Sequence, residues 1–132
     1  MAFYRRTFGI LAIASALIMP VAAVAQSAYT PAPGSSERRA IMDAMRAKGD
    51  DRDRAFVVRH LKVSGAWAWL EADPQSRSGS NKYESESALL RRSGSGWSVV
   101  AQPCAEEGCD PRRELRRIRT SFPAAPASIF RQ

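Results

Sequence analysis

Two glycine turns confine most of this chain to β-hairpins. Ser64-Gly65 follows AFVVRHLKV (55–63) and precedes WAWLEA (67–72), while Ser93-Gly94-Ser95-Gly96 follows YESESALLRR (83–92) and precedes WSVVAQ (97–102). The four flanking segments read as strands, and two successive hairpins make a four-stranded antiparallel meander. Residues 73–82, DPQSRSGSNK, are polar and turn-forming, so a mobile connection between the hairpins is expected.

Strand register decides where each side chain points, because a slip of one residue sends the whole strand to the opposite face. If the first loop is Ser64-Gly65 alone, Lys62 faces Trp67 and His60 faces Trp69, a polar and aromatic platform for a ligand. If Ala66 joins the loop, Val63 faces Trp67, Leu61 faces Trp69 and Arg59 faces Glu71, which matches apolar with apolar and pairs opposite charges. The second register is preferred. In the later hairpin a four-residue loop sets Arg92 against Trp97, Leu90 against Val99 and Ala88 against Ala101. Trp67, Trp69 and Trp97 are then expected on one face with Leu61, Val63, Leu90 and Val99, as core. The platform reading keeps the same tryptophans as candidate binding residues.

Ahead of the sheet, SERRAIMDAMRAKG supplies a serine cap, Glu37 in the first turn where the helix dipole favours an anion, and Gly49 as terminator. Ile41, Ala44, Met45 and Lys48 recur at helical spacing, opposite Arg39, Asp43 and Arg46. An amphipathic helix of three turns follows, expected to cover the sheet. The run DDRDR, Asp50 to Arg54, reads as a solvated loop. Beyond the sheet, DPRRELRRIRTSF has Asp110 as a cap, Pro111 at the first helical position, and Leu115, Ile118 and Phe122 on one side. The expected class is α+β: one N-terminal amphipathic helix packed on a four-stranded antiparallel meander, with a short C-terminal helix.

The N-terminus, MAFYRRTFGILAIASALIMPVAAVAQS, has a charged start, an apolar run from Phe8 to Met19 and small residues at Ala23 and Ala25, the pattern of a cleaved export signal. The run is shorter than the roughly 20 residues a spanning helix needs, so no stable membrane insertion is expected. Cleavage after Ala25 starts the chain at Gln26, in the periplasm or outside the cell. Arg5-Arg6-Thr7-Phe8 resembles a twin-arginine signal, but Gly9 stands where a bulky apolar residue is preferred, which favours ordinary Sec export. Residues 26–35 then read as a flexible leader, 36–122 as a single domain and 123–132 as an extension in which Ile129 and Phe130 either pack on the sheet or are loose.

Of the 20 Lys and Arg residues, Arg5 and Arg6 fall in the signal, leaving 18 against 13 Asp and Glu, a net of +5. An exported basic protein meets anionic lipids, glycans and acidic proteins, so nucleic acid is not an expected partner. Arg112, Arg113 and Arg116, with Arg117 and Arg119, could dock an anionic surface or form a solvated helix flank. Cys104 and Cys109 are the only cysteines, and in an oxidising compartment they are expected to pair. A redox pair would show the tighter C-x-x-C spacing, and a zinc site would need more ligands than His60 supplies. Neither a metal nor a cofactor is expected. His60 is the single histidine and no carboxylate pair stands out by spacing, so no catalytic residue is assigned.

The order ERRAIMDAMR, LKVSG, WAWLEADPQ, ALLRRSGSGWSVV resembles small exported proteobacterial proteins of unassigned function. The helix-then-meander pattern over about residues 36 to 102 is also similar to the cystatin-like and nuclear-transport-factor-2-like superfamily. That resemblance implies a sheet folded around a helix to form an apolar pocket, hence ligand binding or, in some branches, catalysis. A single three-turn helix, where larger members have several, argues against a deep pocket. The expected function is a binding or accessory module of the cell envelope, its partner an envelope protein or a small molecule. A small apolar-ligand carrier is the alternative, and a hydrolase of unfamiliar design stands behind both.

Overall fold

The computed structural model describes residues 26–49 and 53–131. The expected export signal, residues 1–25, and the start of the DDRDR run, 50–52, lie outside the described residues. Helix α1 spans Ser36–Lys48, and strands β1 (Arg54–Ser64), β2 (Trp67–Ser76), β3 (Glu86–Ser93) and β4 (Gly96–Ala101) follow. Helix α2 (Pro111–Ser121) and a 3₁₀ turn, Ala127–Phe130, end the chain's regular structure. The sheet is antiparallel in the order β1-β2-β3-β4, so the α+β class and the meander stand as expected.

Both hairpins close through Ser-Gly-X turns. Ser64 pairs with Trp67 and Ser93 with Gly96, leaving Gly65-Ala66 and Gly94-Ser95 as the loops. Gly65 (φ 58°) and Gly94 (φ 61°) occupy the first loop position, where a II′ turn demands a left-handed residue. In the later hairpin this keeps the expected partners Arg92 with Trp97 and Leu90 with Val99. A register shift next to Leu90 then sets Ala101 opposite Leu89 instead of Ala88.

In the first hairpin neither expected register occurs. Val63 faces Ala68, Lys62 faces Trp69, Leu61 faces Leu70 and His60 faces Glu71. The loop has two residues but starts one position later than Ser64, because glycine must lead the turn. A bulge at Arg59 follows, and Arg59 pairs with Asp73 (3.1 Å) rather than Glu71. The bulge lets Val58 and Phe56 rejoin the face of Leu61 and Val63, although their spacing along the chain has the wrong parity.

The alternation of side chains now sorts the tryptophans onto two faces. On the first, Leu61, Val63, Ala68, Leu70, Ala72, Ala88, Leu90 and Trp97 pack against Ile41, Met42 and Met45 of α1. On the second, Trp69 and Leu89 pack against Ile118, Ala125 and Ile129, with Trp67, Leu115, Phe122 and Phe130 at the margin. Trp67 and Trp69 therefore do not share a face with Val63, Leu61 and Leu90, and α1 does not cover them. Ile129, left open between packed and loose, is fully buried.

Two segments expected to be mobile are tied down. Residues 26–35 lie along the outer edge of β1: Tyr29 and Val63 exchange backbone hydrogen bonds (2.9 and 2.8 Å), Thr30 Oγ1 donates to the Leu61 carbonyl (2.9 Å) and Ser64 Oγ donates to the Gln26 carbonyl (2.8 Å). An otherwise open strand edge is thereby covered. Residues 73–76 extend β2, and the Tyr83 amide donates to the Pro74 carbonyl (2.9 Å). Proline is tolerated there because it lies past the last β2–β3 pair, Ala72 with Glu86, where no ladder needs its missing N–H.

Candidate functional site

The second face of the sheet is covered over only part of its length. Helix α2 begins as expected: Asp110 Oδ1 accepts from the Arg112 amide (2.9 Å) and the Arg113 amide (3.3 Å), and Pro111 occupies the first turn. Leu115, Ile118 and Phe122 face the sheet. The chain then turns back through Pro123 and Pro126, and the 3₁₀ turn brings Ile129 and Phe130 beneath the tryptophans. The Phe130 ring lies 5.1 Å from that of Trp69, and Phe122 meets Trp67 edge-on at 6.0 Å.

Upstream of α2, Cys104 and Cys109 are within disulfide distance, their Cα atoms 5.9 Å apart. The Cys104 amide donates to Glu114 Oε2 (3.0 Å), which also accepts from Arg117 Nη2 (2.9 Å). These donors hold the Glu114 carboxyl below the usual glutamate range, with the Arg117 hydrogen bond the larger cause and the Cys104 amide next. The cross-linked loop is in this way clipped to the first turn of α2.

Where this cover stops, a groove of about 720 Å³ opens over the sheet. Trp69, Glu71 and Ser87 form its floor, Glu84, Ser85 and Glu86 one side, and Gln102 to Ala105 with Pro111, Arg112 and Leu115 the other. Trp69 is 3% exposed, and its Nε1–H donates to Glu71 Oε1 (3.0 Å), which orients that carboxylate at the boundary between core and groove. Glu86 is held by Arg54 (2.6 Å). The groove thus offers carboxylates and hydroxyls on one side and the Arg112 guanidinium on the other, around one buried indole.

The residues singled out from sequence are divided among several places. Trp69 and Arg112 border the groove. Trp67 does not line it: it is half-buried against Phe122, with the Arg91 guanidinium 5.4 Å from its ring centre. Trp97 lies through the sheet on the α1 side, beneath Arg92 at 4.7 Å, and Arg92 in turn pairs with Glu37. One cavity lined by all three tryptophans is therefore geometrically excluded, since the sheet stands between them. Arg113 is exposed on α2, and Arg116 borders a second hollow beyond the groove. His60 and Lys62, which the preferred register sets on the other face of the sheet and the platform reading sets beside the tryptophans, share the face of Trp67 and Trp69, with Lys62 across from Trp69 and His60 across from Glu71. His60 Nε2 lies 2.8 Å from the Ile129 carbonyl, so it carries the proton and holds the C-terminal turn.

Glu71, Glu84, Ser85, Ser87 and Gln102 escaped sequence reasoning because they approach one another only through strand pairing and the position of α2. One signal was available: WAWLEA is apolar at both parities, as in a strand buried on both faces. Among the described residues no cluster of His, Cys, Asp and Glu could hold a metal ion, and no helix is long and apolar enough to cross a membrane. Comparison with family models, curated proteins and solved structures found no match.

Proposed function

We propose that the protein is a binding or accessory module of the cell envelope, periplasmic or secreted, which holds a segment of an envelope protein in the groove beside the disulfide loop. One observation carries this reading: the cover over Trp69 ends at Leu115 and leaves Glu71, Glu84, Ser85 and Ser87 facing Arg112 across an open hollow. Orienting polar groups around an apolar floor is what recognition sites share. The space between α1 and the sheet is filled by Ile41, Met42 and Met45, so a small ligand, the second reading, would enter this same groove.

The exported chain, used as bait in an envelope extract, is expected to retain a partner that Glu84→Lys and Ser87→Trp both lose. Equal retention by both variants, with wild-type denaturation midpoints, would place the partner elsewhere. Fractionation with intact-mass measurement is expected to find the exported form starting at or near Gln26. A cytoplasmic chain retaining residues 1–25 would overturn the localisation.

A further inference from the structure

Arg112, Arg116 and Arg119 run along one flank of α2 at spacings of four and three residues, so they lie one above another. Arg112 belongs to the groove already described. Arg116, Arg119 and Thr120 instead border a separate notch of about 480 Å³, whose far wall is Pro123, Ala125, Pro126 and Ala127. That wall is stiff. Its two prolines fix φ, Ala125 N–H donates to the Phe122 carbonyl (3.0 Å), Ile129 N–H to the Pro126 carbonyl (3.2 Å), and the buried Ile129 anchors the turn.

Among the described residues neither Arg116 nor Arg119 has a carboxylate partner, and Glu114, the one acid of α2, is taken by Arg117 and the Cys104 amide. The Arg119 guanidinium stands 5.8 Å from the Phe130 ring centre, which limits its freedom.

We propose that this notch binds a phosphate group. Two guanidinium forks and a hydroxyl present more donors than the two oxygens of one carboxylate can use, whereas a phosphate has enough acceptor oxygens and charge to meet all three. The basic balance of the exported chain favours the approach of such an anion. The site stands on residues separate from the groove, so either can fail without the other.

Inorganic phosphate is titrated into the exported chain at ionic strength held constant with chloride, following backbone and arginine Nε–H resonances. Saturable shifts are expected at Arg116, Arg119, Thr120 and residues 123–127. Arg116→Gln should weaken binding about tenfold or more, the scale of a lost charge-assisted fork. Arg119→Lys, which keeps the charge and loses the fork, should weaken it as well. Both side chains are exposed, and unchanged denaturation midpoints check that the variants fold.

Shifts that never saturate, that are equal at Arg91 and Arg131, or that persist in Arg116→Gln would overturn the site and leave simple screening. Glycerol phosphate and vesicles of phosphatidylglycerol, with phosphatidylcholine as control, separate the sources. Competition by glycerol phosphate without vesicle binding assigns a soluble phosphate ester. Co-sedimentation with anionic vesicles that Arg116→Gln abolishes assigns a lipid headgroup, and failure of both arms overturns the proposal.

Discussion

On one face of the sheet a single helix lays Ile41, Met42 and Met45 across Leu61, Val63, Leu70 and Leu90; on the other, an arginine-rich helix and a doubled-back tail cover Trp67, Trp69 and Leu89 and then stop. The first cover comes from one element: α1 lays Ile41, Met42 and Met45, with Ala40 and Ala44 beside them, on the strands, while Glu37 and Arg46 reach Arg92 and the Arg54 carbonyl at its margins. The second is assembled from separated residues, Leu115, Ile118, Phe122, Ala125 and Ile129, spread over two elements and a turn. The strands beneath it change character where it ends, from Trp69 and Leu89 to Glu71 and Ser87. One amphipathic helix packs its apolar face directly on the strands, whereas a core closed by pieces leaves a groove at its margin and a notch between its pieces.

The comparison breaks first at Trp69. If the second face is a full core, Trp69→Ala is expected to cost about 3–5 kcal/mol by denaturant midpoint, on the scale of Ile41→Ala at about 2–5 kcal/mol on the first face. A loss under about 1 kcal/mol for Trp69→Ala would reduce the C-terminal cover to an appendage. Replacing Cys104 and Cys109 together by serine should cost less, about 2 kcal/mol for so short a loop. Hydrogen exchange should then rise in the first turn of α2 and stay constant in α1, and an equal rise in both helices would show that the two faces are not separately supported.

Smaller again is His60→Ala, which removes the donor to the Ile129 carbonyl and should cost about 1 kcal/mol. Faster exchange confined to residues 125–130 would locate that loss, while an unchanged midpoint and exchange pattern would remove His60 from the account. The smallest effect concerns Glu114. Its carboxyl is held lower when folded than the unfolded value of about 4.3, so its contribution is complete above that value and disappears as pH falls through the folded one. Glu114→Gln should therefore flatten the acid limb of the stability profile below about pH 4.5 and leave neutral pH little changed. Identical acid limbs would detach the Cys104 amide from that carboxylate.

Much of the fold was legible because its signals are local. Asp110-Pro111, Glu37 and the two Ser-Gly turns act within a few residues of where they stand, and the helix and strand they bound appear where expected. The later hairpin kept the expected pairing around Leu90 and Arg92, since the two-residue loop Gly94-Ser95, with Ser93 paired to Gly96, gives the same register as the expected four-residue loop. The first did not, because matching Trp67 and Trp69 with Val63 and Leu61 presumed that only one face of the sheet would be covered. Once α2 and Ile129 supply a second cover, nothing requires the tryptophans and the aliphatics to meet. The candidate site was less legible still: Trp69 and Arg112 were picked out one by one, but the carboxylates and hydroxyls around them lie far apart in the chain.

The sequence by itself determined the main elements, their order, the Asp110 cap of α2 and the pairing available to two cysteines, all of which rest on interactions between near neighbours; the cap of α1 is Ser35, one residue before the expected serine, whose Oγ accepts from the Arg38 amide. Tertiary structure decided which strand faces are covered and where the strands change face, through the bulges at Arg59 and Val100 and the second cover over Trp67 and Trp69. With a side-chain period of two, one residue of slip exchanges inside for outside, and a bulge makes the same exchange partway along a strand. Only the packed chain could show that Trp69 belongs under the tail, Trp97 under α1, and the groove at the place where the tail's cover ends.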